Sequence, residues 1–461
     1  MRDREALAAP AIVTEKRRVS APKNDVLQHR KTTCFSTEKR RACYRLRMDY
    51  RPRVVDQQLT ELLQVAPAVN LIGPRASGKT TTALQQAASS WRLDPAAPAS
   101  IELAREDPSL ALSGDEPRLI DEWQLVPTLW DAVRRNADDA PGRGKFILSG
   151  SAWPDDDARR HSGAGRIVDL IMRPMSLCES GDSTSQVSLR GILDGTQAPV
   201  LDSPLSVSRY ADLIVRGGWP GWIDLQGDQA RPLVDAYLAA LQQRDFPLVA
   251  GNRRAPGRFA QFITAYASLT AHPTPLSTVA KRLADDGITV GRDFATTFHE
   301  FATRMFLVED QPAWSSSRRS RNRLVANPKR HLADPSLAAS ALHLSPEGLR
   351  QDWETFGLLF ESLVVRDLRV YSQPLGGKVF HYRTHDAAQE IDAVVEFSDG
   401  RWLGVEVKLG YQAARTAAER LTSVTAAFKH PPTALMVVTG DAPATRQSNG
   451  VWIVPLGLLG P

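Results

Sequence analysis

The sharpest chemical signal in this sequence is a run of eight residues, Gly73-Pro74-Arg75-Ala76-Ser77-Gly78-Lys79-Thr80. Glycines enclosing four residues, then a lysine and a hydroxyl, are the composition of a loop that wraps phosphate. The glycines free the backbone to curl, the N–H groups of the following helix face the anion, and an ammonium neutralises it. On this reading Gly73 to Thr80, with Thr81 behind them, bind ATP. Lys79 pairs with the β- and γ-phosphate oxygens and Thr80 ligates Mg²⁺ through its hydroxyl.

Hydrolysis needs acids beside such a loop, and Arg118-Leu119-Ile120-Asp121-Glu122 supplies them at the end of an apolar stretch. Asp121 is expected to hold Mg²⁺, directly or through water, and Glu122 to orient or deprotonate the attacking water. Two adjacent acids can equally cap a helix, and it is the loop upstream that selects the catalytic reading. Lys145 to Leu148 read as the next strand, ending in Ser149-Gly150-Ser151. A hydroxyl there can sense the γ-phosphate, with Ser149 and Ser151 not separable and a plain turn equally open. Arg166 follows Gly163-Ala164-Gly165 and is a candidate charge-stabilising finger, within its own chain or in a neighbouring subunit; the bland alternative is a solvated arginine.

A second constellation lies near the C-terminus. Glu361 falls on a predicted helix, Asp392 on a strand over 391–397, and Glu406-Val407-Lys408 on a strand over 403–409. Residues two apart on a strand share a face, so Glu406 and Lys408 point the same way. The order helix, three strands, helix, strand, with an acid and then Glu-x-Lys, resembles the PD-(D/E)xK nuclease core. A working member would bind Mg²⁺ with Asp392 and Glu406 and position water with Lys408, Glu361 assisting. Ile391 stands where the motif has proline. Glu-x-Lys also occurs as a solvated cross-strand ion pair, so fold and retained nuclease activity are separate questions.

These sites need elements to hold them. Residues 56–64 have helical apolar spacing, 68–72 read as a buried strand, and strands and helices alternate to about residue 175, predicting a parallel sheet. Gly181 to Gln186 is polar and marks a boundary. Residues 207–310 read as helices, with a helix–turn–helix spacing over 276–306 around Asp285-Asp286-Gly287. The basic run Arg318, Arg319, Arg321 and Arg323, with Lys329 and Arg330 beyond, then reads as a wing that contacts DNA or RNA phosphates, or as a solvated loop. Over residues 1–47 there are 13 Lys and Arg against 5 Asp and Glu, so the tail is +8 and the remainder −3 of a whole-chain +5. That tail reads as a disordered extension or a mis-assigned start before Met48. No apolar run spans a membrane, and three cysteines in 461 residues form no disulfide framework or zinc site. A cytoplasmic protein is expected.

Gly73-Pro74-Arg75 through Thr80, Ile120-Asp121-Glu122-Trp123-Gln124 with Pro127, and Leu148-Ser149-Gly150-Ser151 together resemble the bacterial and archaeal AAA-type ATPases fused to a C-terminal domain of unknown function. The similarity continues at Gly217-Gly218-Trp219-Pro220, Gln243-Arg244-Asp245, Asn327-Pro328-Lys329, Leu332-Ala333-Asp334, Phe360-Glu361, Glu390-Ile391-Asp392 and Glu406-Val407-Lys408. The resemblance implies an α/β architecture: a P-loop AAA-type ATPase domain over 48–180, a helical, winged-helix-like domain over 207–335 and a restriction-endonuclease-like domain over 350–458. Two kinds of function fit. One is an ATPase coupled to a nucleic-acid-associated or nuclease-like effector. The other is a nucleotide switch, or a toxin–antitoxin or defence component, with an inactive nuclease fold. A homo-oligomer fits either.

Overall fold

Short apolar strands alternating with helices must return parallel to one another, because each helix crosses back over the sheet. The computed structural model describes residues 50–461 apart from 153–162, 204, 251–254, 286, 289–290, 292, 317–325, 385 and 387. Its first sheet contains β1 (Ala68–Ile72), β2 (Ser89–Arg92), β3 (Arg118–Asp121), β4 (Phe146–Gly150) and β5 (Ile167–Ile171), in the order β2-β3-β4-β1-β5. Every pairing is parallel. The sheet is covered on both faces. Phe146 and Leu148 pack with Trp123 and Trp130 on one side, while Ile147 joins Val69, Leu71 and α1 (Val55–Val65) on the other. Each such side chain contributes about 1.5–3 kcal/mol through burial. Parallel strands put all their C-terminal ends on one edge, and α2 (Lys79–Gln86) and α3 (Thr128–Asp139) leave from that edge.

The middle of the chain is helical: α4 (Val207–Arg216), α5 (Gly227–Ala240), α6 (Pro256–Ala267), α7 (Leu276–Asp285) and α8 (Phe294–Arg304). A π-helical turn, Leu241–Asp245, extends α5. After α8, extended segments pair as Val308 with Leu332 and Gln311 with Lys329, antiparallel in both cases.

The last segment runs α9 (Trp353–Ser372), β6 (Lys378–Arg383), β7 (Glu390–Glu396), β8 (Trp402–Lys408), α10 (Tyr411–Ala426), β9 (Ala434–Thr439), β10 (Thr445–Arg446) and β11 (Trp452–Pro455). These strands form a second sheet, β10-β11-β9-β8-β7-β6. One apolar core running from Leu177 to Leu459 gathers the middle helices, α9 and the inner face of this sheet. The polar segment 181–186 is tied into it: Ser183 Oγ donates to the Leu459 carbonyl at 2.7 Å, and Val187–Ser188 pairs with Leu459–Gly460. No helix among the described residues is long and apolar enough to cross a membrane. The basic tail 1–47 and Arg318, Arg319, Arg321 and Arg323 lie outside the described residues.

Candidate functional site

β1 ends buried, and the chain must turn at once into α2. Gly73 makes the turn at φ 151, where an added Cβ would lie 2.0 Å from the Met172 carbonyl oxygen. Gly78, at φ 101, precedes the first helical residue. Between them run Pro74, Arg75, Ala76 at φ 60, and buried Ser77. Lys79 is buried and donates to the carbonyls of Gly73 (3.0 Å) and Pro74 (2.7 Å). Burial pushes its ammonium down to about 8, opposed in part by Glu122 and Asp121. Thr81 follows on the first turn of α2, half-buried. Arg53 braces the loop from outside, donating to the Ser77 carbonyl (2.7 Å) while pairing with Glu179 (3.1 Å).

Asp121 closes β3 on the same edge. Its Oδ1 accepts from Thr80 Oγ1 at 2.9 Å and from Ser149 Oγ, and its Oδ2 from Arg92 Nε at 3.2 Å. A hydroxyl and a carboxylate already in contact beside the phosphate loop are hard oxygen donors of the kind Mg²⁺ takes, so Thr80 and Asp121 fit the ion. Glu122 sits in the left-handed region, φ 58 and ψ 39, which is uncommon for a non-glycine residue. Gln124 Nε2 and Ser151 Oγ (3.3 Å) both donate to its Oε2. The two serines thus separate: Ser149 touches Asp121, and Ser151 touches Glu122.

Arg166 is not part of this group. It precedes β5, whose Ile167 lies beside Ala68 at the start of β1, so Arg166 is on the edge of the sheet opposite the phosphate loop. There it pairs with Asp138 at 2.7 Å. A finger acting within its own chain is excluded by strand direction. What does meet the loop comes from the middle helices: Asp245 pairs with Arg75, and Tyr237 Oη donates to the Arg75 carbonyl at 2.9 Å. Composition singles out neither residue; Asp245 is visible beforehand only as part of the Gln243-Arg244-Asp245 resemblance.

The C-terminal candidates do converge. The β7–β8 ladder ends at Ala393 opposite Val405. Beyond it the strands part, and the Val407 N–H donates to Asp392 Oδ2 at 2.9 Å in place of a backbone partner. Lys408 Nζ lies 3.3 Å from Asp392 Oδ2 and 3.1 Å from Glu406 Oε2. Burial raises Glu406 to about 8, with Asp392 adding to the effect, and raises Glu361 to about 7 against the pull of Lys329. Burial alone would raise Asp392 as well, but Lys329 and Lys408 hold it far below the usual carboxylate range.

Lys329 is the residue that sequence reasoning misplaces. Grouped with Arg330 as part of an exposed basic wing, it is 1% exposed, and its Nζ lies 2.8 Å from Glu361, 2.9 Å from Glu390 and 3.3 Å from Asp392. Arg330 is buried too, against Asp310. Neither can reach a polymer phosphate. An ammonium among the carboxylates is the wrong neighbour for a divalent cation, so Asp392 and Glu406 as arranged do not fit Mg²⁺. Among the described residues, no three or more His, Cys, Asp or Glu are grouped to hold a metal ion.

Comparison with known proteins finds three matched segments of the chain. Residues 66–180 match the model of an AAA domain. Residues 207–348 and 356–459 match two domains of unknown function, DUF8612 and DUF4143. An uncharacterized protein of Mycobacterium tuberculosis is 25% identical over 380 residues, covering 82% of this chain and 75% of that protein. An uncharacterized protein of Mycobacterium bovis matches to the same extent. Among solved structures, a Walker-type ATPase of Pyrococcus abyssi aligns with 64% of this chain and 97% of its own at a TM-score of 0.40 and 16% identity. The Drosophila ORC bound to DNA aligns with 63% of this chain and 94% of its own at a TM-score of 0.23 and 12% identity.

Proposed function

We propose, from the premise that residues 66–180 are an AAA domain of the P-loop ATPase family followed by two further domains, that this chain hydrolyses ATP and passes the result to its middle helices. The observation that carries the reading is the 2.9 Å contact between Thr80 and Asp121, beside buried Lys79 and next to Glu122. Residues 73–81 bind the triphosphate, and Thr80 with Asp121 holds Mg²⁺, which supplies charge neutralisation to the phosphates. Glu122, held by Gln124 and Ser151, accepts a proton from water. The water oxygen bonds the γ-phosphorus as the bond from phosphorus to the β–γ bridging oxygen breaks, leaving ADP and phosphate. Asp245 and Tyr237, both in contact with Arg75, are the route by which the loop's state reaches α5.

The effector reading is nucleic acid. Support comes from the helix pair α7 and α8 followed by paired extended segments, an order compatible with a winged helix. The exposed residues of α8 include Thr296, Glu300 and Thr303, so the positive charge for a polymer falls to Lys281 and Arg282 on α7 and to Arg318, Arg319, Arg321 and Arg323. The helix–sheet order from α9 to β9 supports a restriction-endonuclease-like fold for the last domain.

The test is ATP turnover with Mg²⁺, alone and with single- and double-stranded DNA and RNA, at rising salt. Stimulation that falls steeply with salt and is lost when the four arginines become serine is expected. Turnover indifferent to every polymer, with no binding at low salt, would remove the nucleic-acid effector and leave the nucleotide switch.

A further inference from the structure

The acidic cluster between α9 and β7 is better built than a solvated ion pair requires. Glu361 reaches it from a helix, and Glu390 and Asp392 from a strand about thirty residues later, yet all three carboxylates point at one atom, Lys329 Nζ. A protonated lysine has three N–H donors and no acceptor, so three carboxylates saturate it. Asp392 and Glu406 are engaged in turn. Asp392 Oδ1 faces Lys329, its Oδ2 accepts from the Val407 N–H and lies near Lys408, and Glu406 Oε2 faces Lys408. A divalent ion entering here would meet two ammonium groups and find each Asp392 oxygen already engaged.

The lysine is fixed as well as buried. Its backbone N–H donates to the Gln311 carbonyl (3.0 Å), and the Gln311 N–H returns the bond (2.9 Å). Gln311 Nε2 then donates to the Asp392 carbonyl at 3.0 Å. His331, two residues on, is held between Gln311 Oε1 and Ser362 Oγ, 3.1 Å from each. Swinging the Lys329 side chain aside would leave Asp392 buried without the ammonium that faces its Oδ1, and would deprive half-buried Glu361 and Glu390 of their shared partner.

We propose that the acidic cluster of the C-terminal sheet takes Lys329 of its own chain as its cation, in place of a divalent metal ion. The cluster is then a charge latch that fastens the segment after α8 to the last domain, and that domain performs no metal-dependent strand cleavage. This holds whether or not ATP is hydrolysed at the phosphate loop.

The experiment uses the full chain without nucleotide and Mn²⁺ as the probe, followed by loss of the free-ion paramagnetic signal and by thermal unfolding. Apart from any Mn²⁺ held at Thr80 and Asp121, which Asp392→Asn leaves in place, wild type is expected to take up none, whereas Lys329→Ala takes up about one further ion per chain, at least tenfold more tightly than wild type does at this cluster. Mn²⁺ should also restore part of the unfolding temperature that Lys329→Ala loses. Adding Asp392→Asn to Lys329→Ala should abolish both effects. The proposal is overturned if wild type binds one Mn²⁺ that Asp392→Asn removes and Lys79→Ala leaves in place. A folded Lys329→Ala that gains no Mn²⁺ site overturns it equally. Should Lys329→Ala not fold, wild type against Asp392→Asn decides alone.

Discussion

Glu309→Gln tests how the three segments are joined. Glu309 follows the short bend after α8 and receives Arg173, just beyond β5, through Nη2 at 2.6 Å and Nε at 2.9 Å; Arg369 of α9 stands 3.6 Å away. The AAA sheet, the middle segment and the last domain therefore meet on one carboxylate. Burial alone would raise that carboxyl, but Arg173 and Arg369 together lower it from 4.5 to about 2. At about 1.4 kcal/mol per unit the shift corresponds to at most ~3.5 kcal/mol. The side chain is 30% exposed, so solvent screening reduces this to about 2 kcal/mol. A carboxyl depressed in the fold stabilises above its unfolded value, and the contribution disappears as pH falls from about 4.5 towards 2. Glu309→Gln should therefore lower the thermal midpoint by ~2–4 °C at pH 7. The gap from wild type should shrink as pH falls below about 4.5, because a protonated Glu309 carries no more charge than glutamine. A gap that stays constant from pH 7 to pH 3, or no gap at pH 7, would refute the reasoning.

Gly73→Ala puts a methyl group 2.0 Å from the Met172 carbonyl at a φ of 151, so the phosphate loop cannot close as built. Strain of ~2–3 kcal/mol should weaken nucleotide binding about 30–150-fold in a fluorescent-nucleotide titration, with the fold retained by circular dichroism. Arg166→Ala should leave ATP turnover within about twofold of wild type at dilutions where the chain is monomeric, since it removes an exposed pair with Asp138 and an exposed bond to the Ala164 carbonyl. A large loss there would mean that the arginine reaches the phosphates after all.

The nucleotide loop was legible in the sequence because its chemistry is local. Strand, glycine turn, lysine and helix occupy thirteen consecutive positions from 68 to 80, and Asp121 announces itself at a strand end. Arg166 misled because a parallel strand has a productive end and an idle end, and spacing does not say that the residue before β5 falls at the idle one. Ser149 and Ser151 could not be told apart until the partners of Asp121 and Glu122 were known. Lys329 is the largest miss. A lysine after a run of arginines reads as solvated, and the three acids that bury it arrive 32 to 63 residues later. The contact of Asp245 with Arg75 spans 170 positions, beyond any periodicity argument.

The central claim is that Glu122 does the proton chemistry on a nucleotide that Lys79 helps to bind. Titrating Mg²⁺–ATP onto wild type, Lys79→Ala and Glu122→Gln, and following phosphate release from each, separates the two roles. Glu122→Gln should bind ATP within a few-fold of wild type and turn it over at least ~100-fold more slowly, while Lys79→Ala should fail to bind. Parental turnover by Glu122→Gln would contradict the account.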